Sequence, residues 1–281
     1  MSAGGLHWLI GSFGLLFGLL AAFSWWWTRE VRTPVREKLL RPPGESLRRE
    51  LESIDEKLVL WIGAYALGST LVAIIPVRAT DRPIRAVLGA ATLVFLAIAA
   101  IHLMILLKRR RDFAIGFSGE RLVGEELGRL AAEGFQVFHD FPTGTIGNID
   151  HVVVAQSGVF AVETKTRRKG RGAKDQPNYI VVLDGYTLSF PHGKDSRGLQ
   201  QAKRNADWLS AYLTKATGEP TTVEAVLTLP GWFIDRRGKG AVRVLSQKEF
   251  RSGLAGAAII APEQLQRIAH QLDQRCRDVE F

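Results

Sequence analysis

The sequence predicts an α/β domain, in which helices cover a mixed β-sheet, preceded by about three transmembrane helices. The second half of the chain alternates β-rich runs with amphipathic helical segments, an order typical of α/β domains. The first 107 residues contain three apolar segments of about 20 residues that carry no Lys, Arg, Asp or Glu. Each segment is long enough to cross a bilayer. Two β-rich runs around a short polar turn predict a hairpin at residues 148–165.

The chain therefore divides into a membrane region, residues 1–111, and a soluble domain, residues 112–281. We expect membrane helices at about 6–27, 58–77 and 86–107. The loop 28–57 holds eight Lys or Arg, and four more follow the last predicted helix. Because cytoplasmic loops carry an excess of these residues, we expect this basic loop and the soluble domain on the cytoplasmic side. The sequence thus predicts a multi-pass protein of the cell membrane, with the lipid bilayer as a partner.

Local patterns predict the other elements of the soluble domain. Ser118 is predicted to cap a helix whose apolar stripe contains Val123, Leu127 and Leu130. Asp184-Gly185 is a strong hairpin-turn signal. Strands are expected at residues 135–141, 179–183, 186–190, 223–229 and 241–245, and helices at 198–214 and 262–276.

The hairpin at residues 148–165 carries the residues with the clearest chemistry. A short loop pairs Val154 with Val159 and, counting outward, Asp150 with Glu163. Side chains alternate between the two faces of a strand, so Lys165 shares a face with Glu163. Two carboxylates and one ammonium group are thereby collected at the open end of the hairpin.

This combination of side chains suits metal-assisted hydrolysis of a phosphodiester. Mg²⁺ takes oxygen ligands, often one or two carboxylates together with phosphate oxygens. A lysine beside it can position a water and offset the charge that develops on a phosphate. The alternative is that Asp150 is a turn residue and that Glu163 and Lys165 form a cross-strand ion pair. The flanking strands are apolar on both faces, and buried carboxylates are costly unless they are paired or metal-bound, which favours the metal site.

The pattern Asp150, twelve further residues, Glu163, any residue, Lys165 resembles the signature of the PD-(D/E)XK nuclease superfamily. The strings IDH (149–151) and VETK (162–165) are similar to the nuclease-related domain (NERD) family in particular. The resemblance covers about residues 116–232. It implies a restriction-endonuclease-like mixed sheet, Mg²⁺ (or Mn²⁺) as cofactor, and nucleic acid as partner, with DNA preferred to RNA.

Two further site residues are expected from the resemblance. At about 100° per residue, Glu120 points with the stripe that contains Leu127, and the resemblance implies that it is a further metal or water ligand. The alternative is a first-turn acid that favours the helix dipole. Gln201 is implied to orient the attacking water or a phosphate. Gln200 remains an alternative, because the asparagine-proline often found before the family's glutamine is absent, and a surface glutamine is a further one. The expected catalytic set is Asp150, Glu163, Lys165, Glu120 and Gln201, with Asp150, Glu163 and Glu120 as metal ligands.

The chain is basic, with a net charge of +9. Residues 165–174 contain six Lys or Arg and no acid. A basic loop that leaves the catalytic strand is well placed to follow a phosphate backbone, although a merely solvated loop is the alternative. No base-reading helix or zinc finger accompanies it, so sequence specificity is not predicted. The expected nucleic-acid-binding residues are Arg167, Arg168, Lys169, Arg171 and Lys174.

Several other chemistries are excluded by composition. The single cysteine, Cys276, excludes an intramolecular disulfide and a CxxC zinc site, and the sequence contains no glycine-rich phosphate loop of the ATPase kind. The predicted membrane helices and the resemblance together imply a membrane-anchored, metal-dependent nuclease-like protein that hydrolyses DNA or RNA at the cytoplasmic face. The alternative is a catalytically silent, membrane-tethered module that binds nucleic acid or protein.

Overall fold

The computed structural model describes Ala22, Trp26 and residues 37–78, 82–170 and 178–279, with the side chains of residues 71–78, 82 and 85 left out. Residues 39–279 form one structural unit. The predicted membrane helix 6–27 and residues 28–36 of the predicted basic loop lie outside the described residues, apart from Ala22 and Trp26.

Two long helices, α1 (Glu45–Arg78) and α2 (Arg82–Gly128), pack side by side. Their contact buries Ile54, Leu58 and Leu106. Arg110 Nε also lies 2.5 Å from Asp55 Oδ1. Further along α1, the ring of Trp61 lies 4.3 Å from that of His102. Because partner positions thus rise along one helix as they fall along the other, the two helices are antiparallel.

Helix α2 contains an apolar segment that could cross a bilayer. Among the described residues, one helix is long and apolar enough to cross a bilayer, Ala86–Glu133, and it contains the predicted helix 86–107. Of the other two predictions, 6–27 lies outside the described residues, and the side chains of 71–77 in the predicted helix 58–77 are not described. The structure thus offers one candidate membrane helix where the sequence predicts about three.

Helix α2 runs without a break from the apolar segment into the soluble domain. The predicted helix start at Ser118 is wrong, because the Ser118 hydroxyl donates to the carbonyl oxygen of Ala114 at 2.8 Å in the middle of α2. A serine hydroxyl can satisfy an i−4 carbonyl inside a helix as well as cap a helix, and no proline interrupts residues 84–141. The predicted domain boundary between residues 111 and 112 therefore falls inside a continuous helix.

A five-stranded mixed sheet forms the centre of the domain, in the order β10-β8-β4-β3-β2. The first three of its strands along the chain form an antiparallel meander, whereas β4, β8 and β10 are parallel. This confirms the predicted mixed sheet. The strands are β2 (Gln136–Pro142), β3 (Asn148–Ala155), β4 (Gly158–Thr164), β8 (Val223–Thr228) and β10 (Arg243–Leu245).

Helices cover both faces of this sheet. The helices α3 (Arg197–Thr217) and α5 (Pro262–Cys276) pack with residues such as Val152 on one face. The C-terminal part of α2 packs with residues such as Val153 on the other face. All seven residues of β4 are buried, as expected for a central strand between two neighbours.

A second sheet, in the order β7-β6-β5-β9, and a two-stranded ribbon, β1-β11, complete the unit. The predicted hairpin turn at Asp184-Gly185 is confirmed, since Leu183 pairs with Leu188 and Asp184 Oδ1 accepts the backbone N–H of Tyr186 at 2.9 Å. The remaining elements are β1 (Leu39–Leu40), β5 (Ile180–Leu183), β6 (Leu188–Phe190), β7 (Gly193–Asp195), β9 (Phe233–Arg236), α4 (Phe250–Leu254), β11 (Arg277–Val279) and 3₁₀ turns at Arg129–Glu133 and Gln247–Glu249.

Candidate active site

The hairpin β3–β4 has the register that the sequence predicts. Val154 pairs with Val159, and His151 pairs with Val162. Asp150 and Glu163 are the next residues of the two strands, just beyond this last pair, and the charge of Glu163 raises the pKa of Asp150. The two carboxylates are thus brought together where the hairpin opens.

Short polar contacts hold these acids in place. The backbone N–H of Thr164 donates to Asp150 Oδ2 at 2.6 Å. Lys165 Nζ lies 2.6 Å from Glu163 Oε1, and the Asn205 amide donates to Glu163 Oε2 at 2.8 Å. Glu163 is 1 % exposed, so a charged partner and a neutral donor hold a buried carboxylate from two directions.

The electrostatics of the site show an excess of negative charge. Burial raises the pKa of Asp150 well above its usual value, and Glu163 and Glu120 raise it further. Burial also raises the pKa of Glu163, although Lys165 opposes this. Burial lowers the pKa of Lys165, but the surrounding carboxyl groups outweigh it, so that this pKa lies above its usual value. One ammonium group therefore faces several carboxyl groups, an arrangement that an additional cation would stabilise.

Glu120 reaches the same cluster from α2. It is 9 % exposed, and burial, followed by the charges of Asp140 and Glu163, raises its pKa to about 8. It cannot be a first-turn acid, because α2 begins at Arg82. The structure therefore places Glu120 at the acid cluster, as expected from its position on the apolar stripe.

Close contact between α2 and the end of β4 makes this approach possible. A Cβ added to Gly119 would lie 1.9 Å from Thr166 Oγ1, so only a glycine allows the helix backbone to pass this close. The hydroxyl of Thr166 is buried at this contact, and those of Thr164 and Thr228 are buried on the neighbouring strands, each without a hydrogen-bond partner in the described structure. No local sequence pattern predicts this contact.

Helix α3 supplies one residue that the sequence analysis missed. Asn205, 1 % exposed, is the side chain that contacts Glu163. The expected residue, Gln201, is half-buried one helical turn before it, on the same face by its i, i+4 spacing. Gln200 is exposed and its amide points back to Ser196 Oγ at 3.4 Å. The sequence signal for this site residue is a polar asparagine within the otherwise apolar buried stripe of α3.

Residues 115–230 match the model of the nuclease-related domain (NERD) family. The chain contains a nuclease-related domain. The matched stretch includes the acids, the lysine and α3, whereas β1 and α1 precede it. No curated protein and no solved structure gave a significant match.

The basic loop that leaves β4 of the nuclease-related domain is partly engaged in internal contacts. Arg167 pairs with Asp195, and Arg168 pairs with Asp112 at 2.5 Å. Lys169 is exposed, with its ammonium 6.0 Å from the Tyr179 ring centroid. The other two predicted nucleic-acid-binding residues, Arg171 and Lys174, lie outside the described residues.

In the described ranges, no group of three or more His, Cys, Asp or Glu is arranged to hold a metal ion. The three expected ligands, Glu120, Asp150 and Glu163, influence one another electrostatically without forming a closed three-ligand cage. The site of the nuclease-related domain is therefore a pair of opposed carboxylates with a third acid nearby.

Proposed function

We propose that this protein is a membrane-anchored, metal-dependent nuclease that hydrolyses phosphodiester bonds of DNA or RNA at the cytoplasmic face of the membrane. The observation that carries the proposal is the convergence of Asp150 and Glu163 just beyond the last pair of one hairpin, His151–Val162, with Thr164 N–H bonded to Asp150 and Lys165 bound to Glu163. The mixed sheet and the nuclease-related match support a restriction-endonuclease-like fold for the domain.

The chemistry of the donor set fits Mg²⁺ or Mn²⁺. Both prefer oxygen ligands, and an ionised carboxylate offers about four lone-pair sites. Thr164 uses one oxygen of Asp150, so the other remains available. Asp150 and Glu163 would hold the cation, and Glu120 would contribute its charge from nearby. When bound, such a cation activates water for attack and offsets the charge on the phosphate.

The residues of the chain have separable roles in this proposal. The ammonium of Lys165 donates to the attacking water or to a phosphate oxygen. Asn205 fixes Glu163 so that its other oxygen faces Lys165. Gln201, one turn before Asn205, is placed to contact the substrate from the same helix face.

Substrate binding is assigned to the basic surface beside the acids. Arg168 and Lys169 are exposed, and they follow the catalytic strand directly. Lysine and arginine bind phosphates without reading sequence. The proposed partner is therefore nucleic acid, with DNA preferred, cut without sequence specificity.

Membrane anchoring is supported by the exposed apolar surface of the helix pair. Only 11 % of the apolar stretch in α2 is buried within the structure. Large side chains on both helices are exposed, including Leu60 at 72 % and Leu93 at 70 %. An apolar surface of this extent needs an apolar environment. The basic run 108–111 directly after it supports a cytoplasmic location for the domain, because cytoplasmic segments carry an excess of Lys and Arg. Because 6–27 and 58–77 are apolar runs of about 20 residues without Lys, Arg, Asp or Glu, we propose them as two further membrane helices.

The proposal is tested on the full-length chain in detergent, with single- and double-stranded DNA and RNA as substrates. Cleavage should require Mg²⁺ or Mn²⁺ and should be lost in Asp150→Ala. The matched control is Asp207→Ala, since this exposed aspartate pairs with Lys203 on the outer face of α3. Cleavage that persists in Asp150→Ala, or is absent from the unaltered chain on every substrate, contradicts the proposal.

A catalytically silent binding module is the second candidate function. It is favoured by the contacts of Glu163, whose two oxygens are already bonded to Lys165 and Asn205. This candidate predicts nucleic-acid binding that weakens with salt, needs no divalent cation and survives Asp150→Ala. Electrophoretic mobility shifts with and without EDTA distinguish it from the nuclease.

A further inference from the structure

A short segment before the nuclease-related match is built into the same structural unit. We name residues 39–46 the strap. Its β-strand pairs with β11 at the end of the chain, with Leu39 opposite Val279. The backbone N–H of Arg41 donates to the carbonyl of Cys276 at 3.0 Å. The strap then continues directly into α1.

The last residue of the strap, Ser46, is bound to a buried aspartate of β2, Asp140, which is 2 % exposed. Asp140 Oδ2 accepts the backbone N–H of Ser46 at 2.9 Å, the Ser46 hydroxyl at 2.7 Å and Arg41 Nη1 at 2.9 Å. Among the described residues, Asp140 is also the one residue other than glycine with a positive φ, 49°. Such backbone is maintained only where the surrounding contacts hold it.

Asp140 connects the strap to the catalytic strand. Its other oxygen accepts the amide of Asn148 at 3.1 Å, and the same amide donates to the Ser46 hydroxyl at 2.5 Å. Asn148 is the first residue of β3, and Asp150 follows two residues later. The strap and Asp140 therefore fix the point where the strand that carries Asp150 begins.

The strap also borders the third acid of the site. A Cβ added to Gly44 would lie 3.6 Å from Glu120 Oε2 and 2.7 Å from the ring of Phe117. Gly44 has a φ of +75°, a conformation that favours glycine. The strap therefore forms part of the wall around Glu120.

We infer that the strap is a positioning element of the catalytic site, in which Ser46 and Arg41 hold Asp140, and Asp140 with Asn148 sets the placement of Asp150. Its effect on cleavage depends on the proposed nuclease function, but its effect on the start of β3 does not. The segment adds to the nuclease-related domain a support that comes from outside the matched residues 115–230.

The test compares Ser46→Ala with Ser69→Ala in the full chain in detergent. Ser46→Ala removes the hydroxyl shared by Asp140 and Asn148. Ser69 is a half-buried serine of the same helix, whose hydroxyl bonds only to the carbonyl of Ala66 among the described residues. Amide hydrogen exchange at residues 148–151 and 164 should rise about tenfold in Ser46→Ala, as expected for the loss of about one hydrogen bond. It should stay unchanged in Ser69→Ala.

A second pair of variants covers the case in which Ser46→Ala does not fold. Gly44→Ala and Gly218→Ala introduce the same methyl group at nearly the same φ, +75° and +74°. Only the first meets neighbours, since nothing lies within 4 Å of the added Cβ at Gly218. Gly44→Ala should therefore raise exchange at the start of β3 more than Gly218→Ala.

Cleavage kinetics give the second measurement. Ser46→Ala should lower kcat about tenfold with little change in KM, and Ser46→Thr, which keeps the hydroxyl, should restore it. Faster exchange at residues 148–151 in a chain that cleaves nothing supports the strap and overturns the nuclease function alone. Unchanged exchange and unchanged kcat in Ser46→Ala and Gly44→Ala overturn the inference.

Discussion

The raised pKa of Glu120 predicts an unusual dependence of stability on pH. The folded chain keeps the Glu120 proton up to about pH 8, whereas the unfolded chain releases it near its ordinary pKa of 4.5. Between these pH values, unfolding releases a proton, so rising pH favours the unfolded state. Replacement by the neutral glutamine in Glu120→Gln removes this dependence.

The difference between 4.5 and about 8 sets the size of the effect. At about 1.4 kcal/mol per pH unit, Glu120→Gln should gain stability relative to the unaltered chain from about pH 5 upward. The gain should level off above pH 8 at no more than about 5 kcal/mol. Asp150 and Glu163 titrate in the same cluster, so the measured gain is shared among the three groups and lies below that limit.

Pulse proteolysis in urea at pH 5 to 9, without divalent cations, measures this difference for the chain in detergent. The matched control is Glu126→Gln, a glutamate of the same helix whose carboxylate pairs with Arg129 near the surface. The reasoning is refuted if Glu120→Gln follows the same pH dependence as the unaltered chain, or if Glu126→Gln shows an equal gain.

Two further substitutions test the packing and the hydrogen bonds of the site. Gly119→Ala should lower the urea midpoint and abolish cleavage, because its methyl group would collide with Thr166. Gly128→Ala, with nothing within 4 Å of its added Cβ, should change stability by at most about 1 kcal/mol. Equal urea midpoints for the two variants would contradict the close approach of α2 to Thr166. Asn205→Ala should cost about 1–3 kcal/mol of stability by leaving a buried Glu163 oxygen without its donor, and its kcat should fall; an unchanged midpoint would show that this hydrogen bond contributes nothing.

The part of the site that lies on one hairpin could be predicted from the sequence. The register between Val154 and Val159 follows from a short turn between two apolar runs, and the alternation of side chains then fixes Asp150 against Glu163. These contacts are local, so one register satisfies both the turn and the apolar faces. The inward direction of Glu120 follows from helical periodicity in the same way.

Contacts between distant parts of the chain could not be predicted. Asn205 bonds to Glu163 across 42 residues, and Arg41 reaches Asp140 across 99 residues. Helix and strand periodicity relates only residues that are close in sequence, so it predicts neither contact. Ser118 was ambiguous for another reason, because a serine hydroxyl serves a helix N-cap and an i−4 carbonyl equally well, and only the uninterrupted path of α2 decides between them.

The strap and the continuity of α2 together mean that the nuclease-related domain does not begin where the family match begins. A chain cut at residue 112 would keep the whole match 115–230, but it would divide α2 and remove all the Ser46 and Arg41 donors to Asp140. Leaving a buried carboxylate without its partners costs about 3–5 kcal/mol, a large part of the 5–15 kcal/mol that stabilises a typical domain. Such a fragment could be inactive because it lacks the strap and the first part of α2, and not because its acids lack catalytic chemistry. Only a chain that retains the strap can therefore decide whether the acids of this site cut nucleic acid.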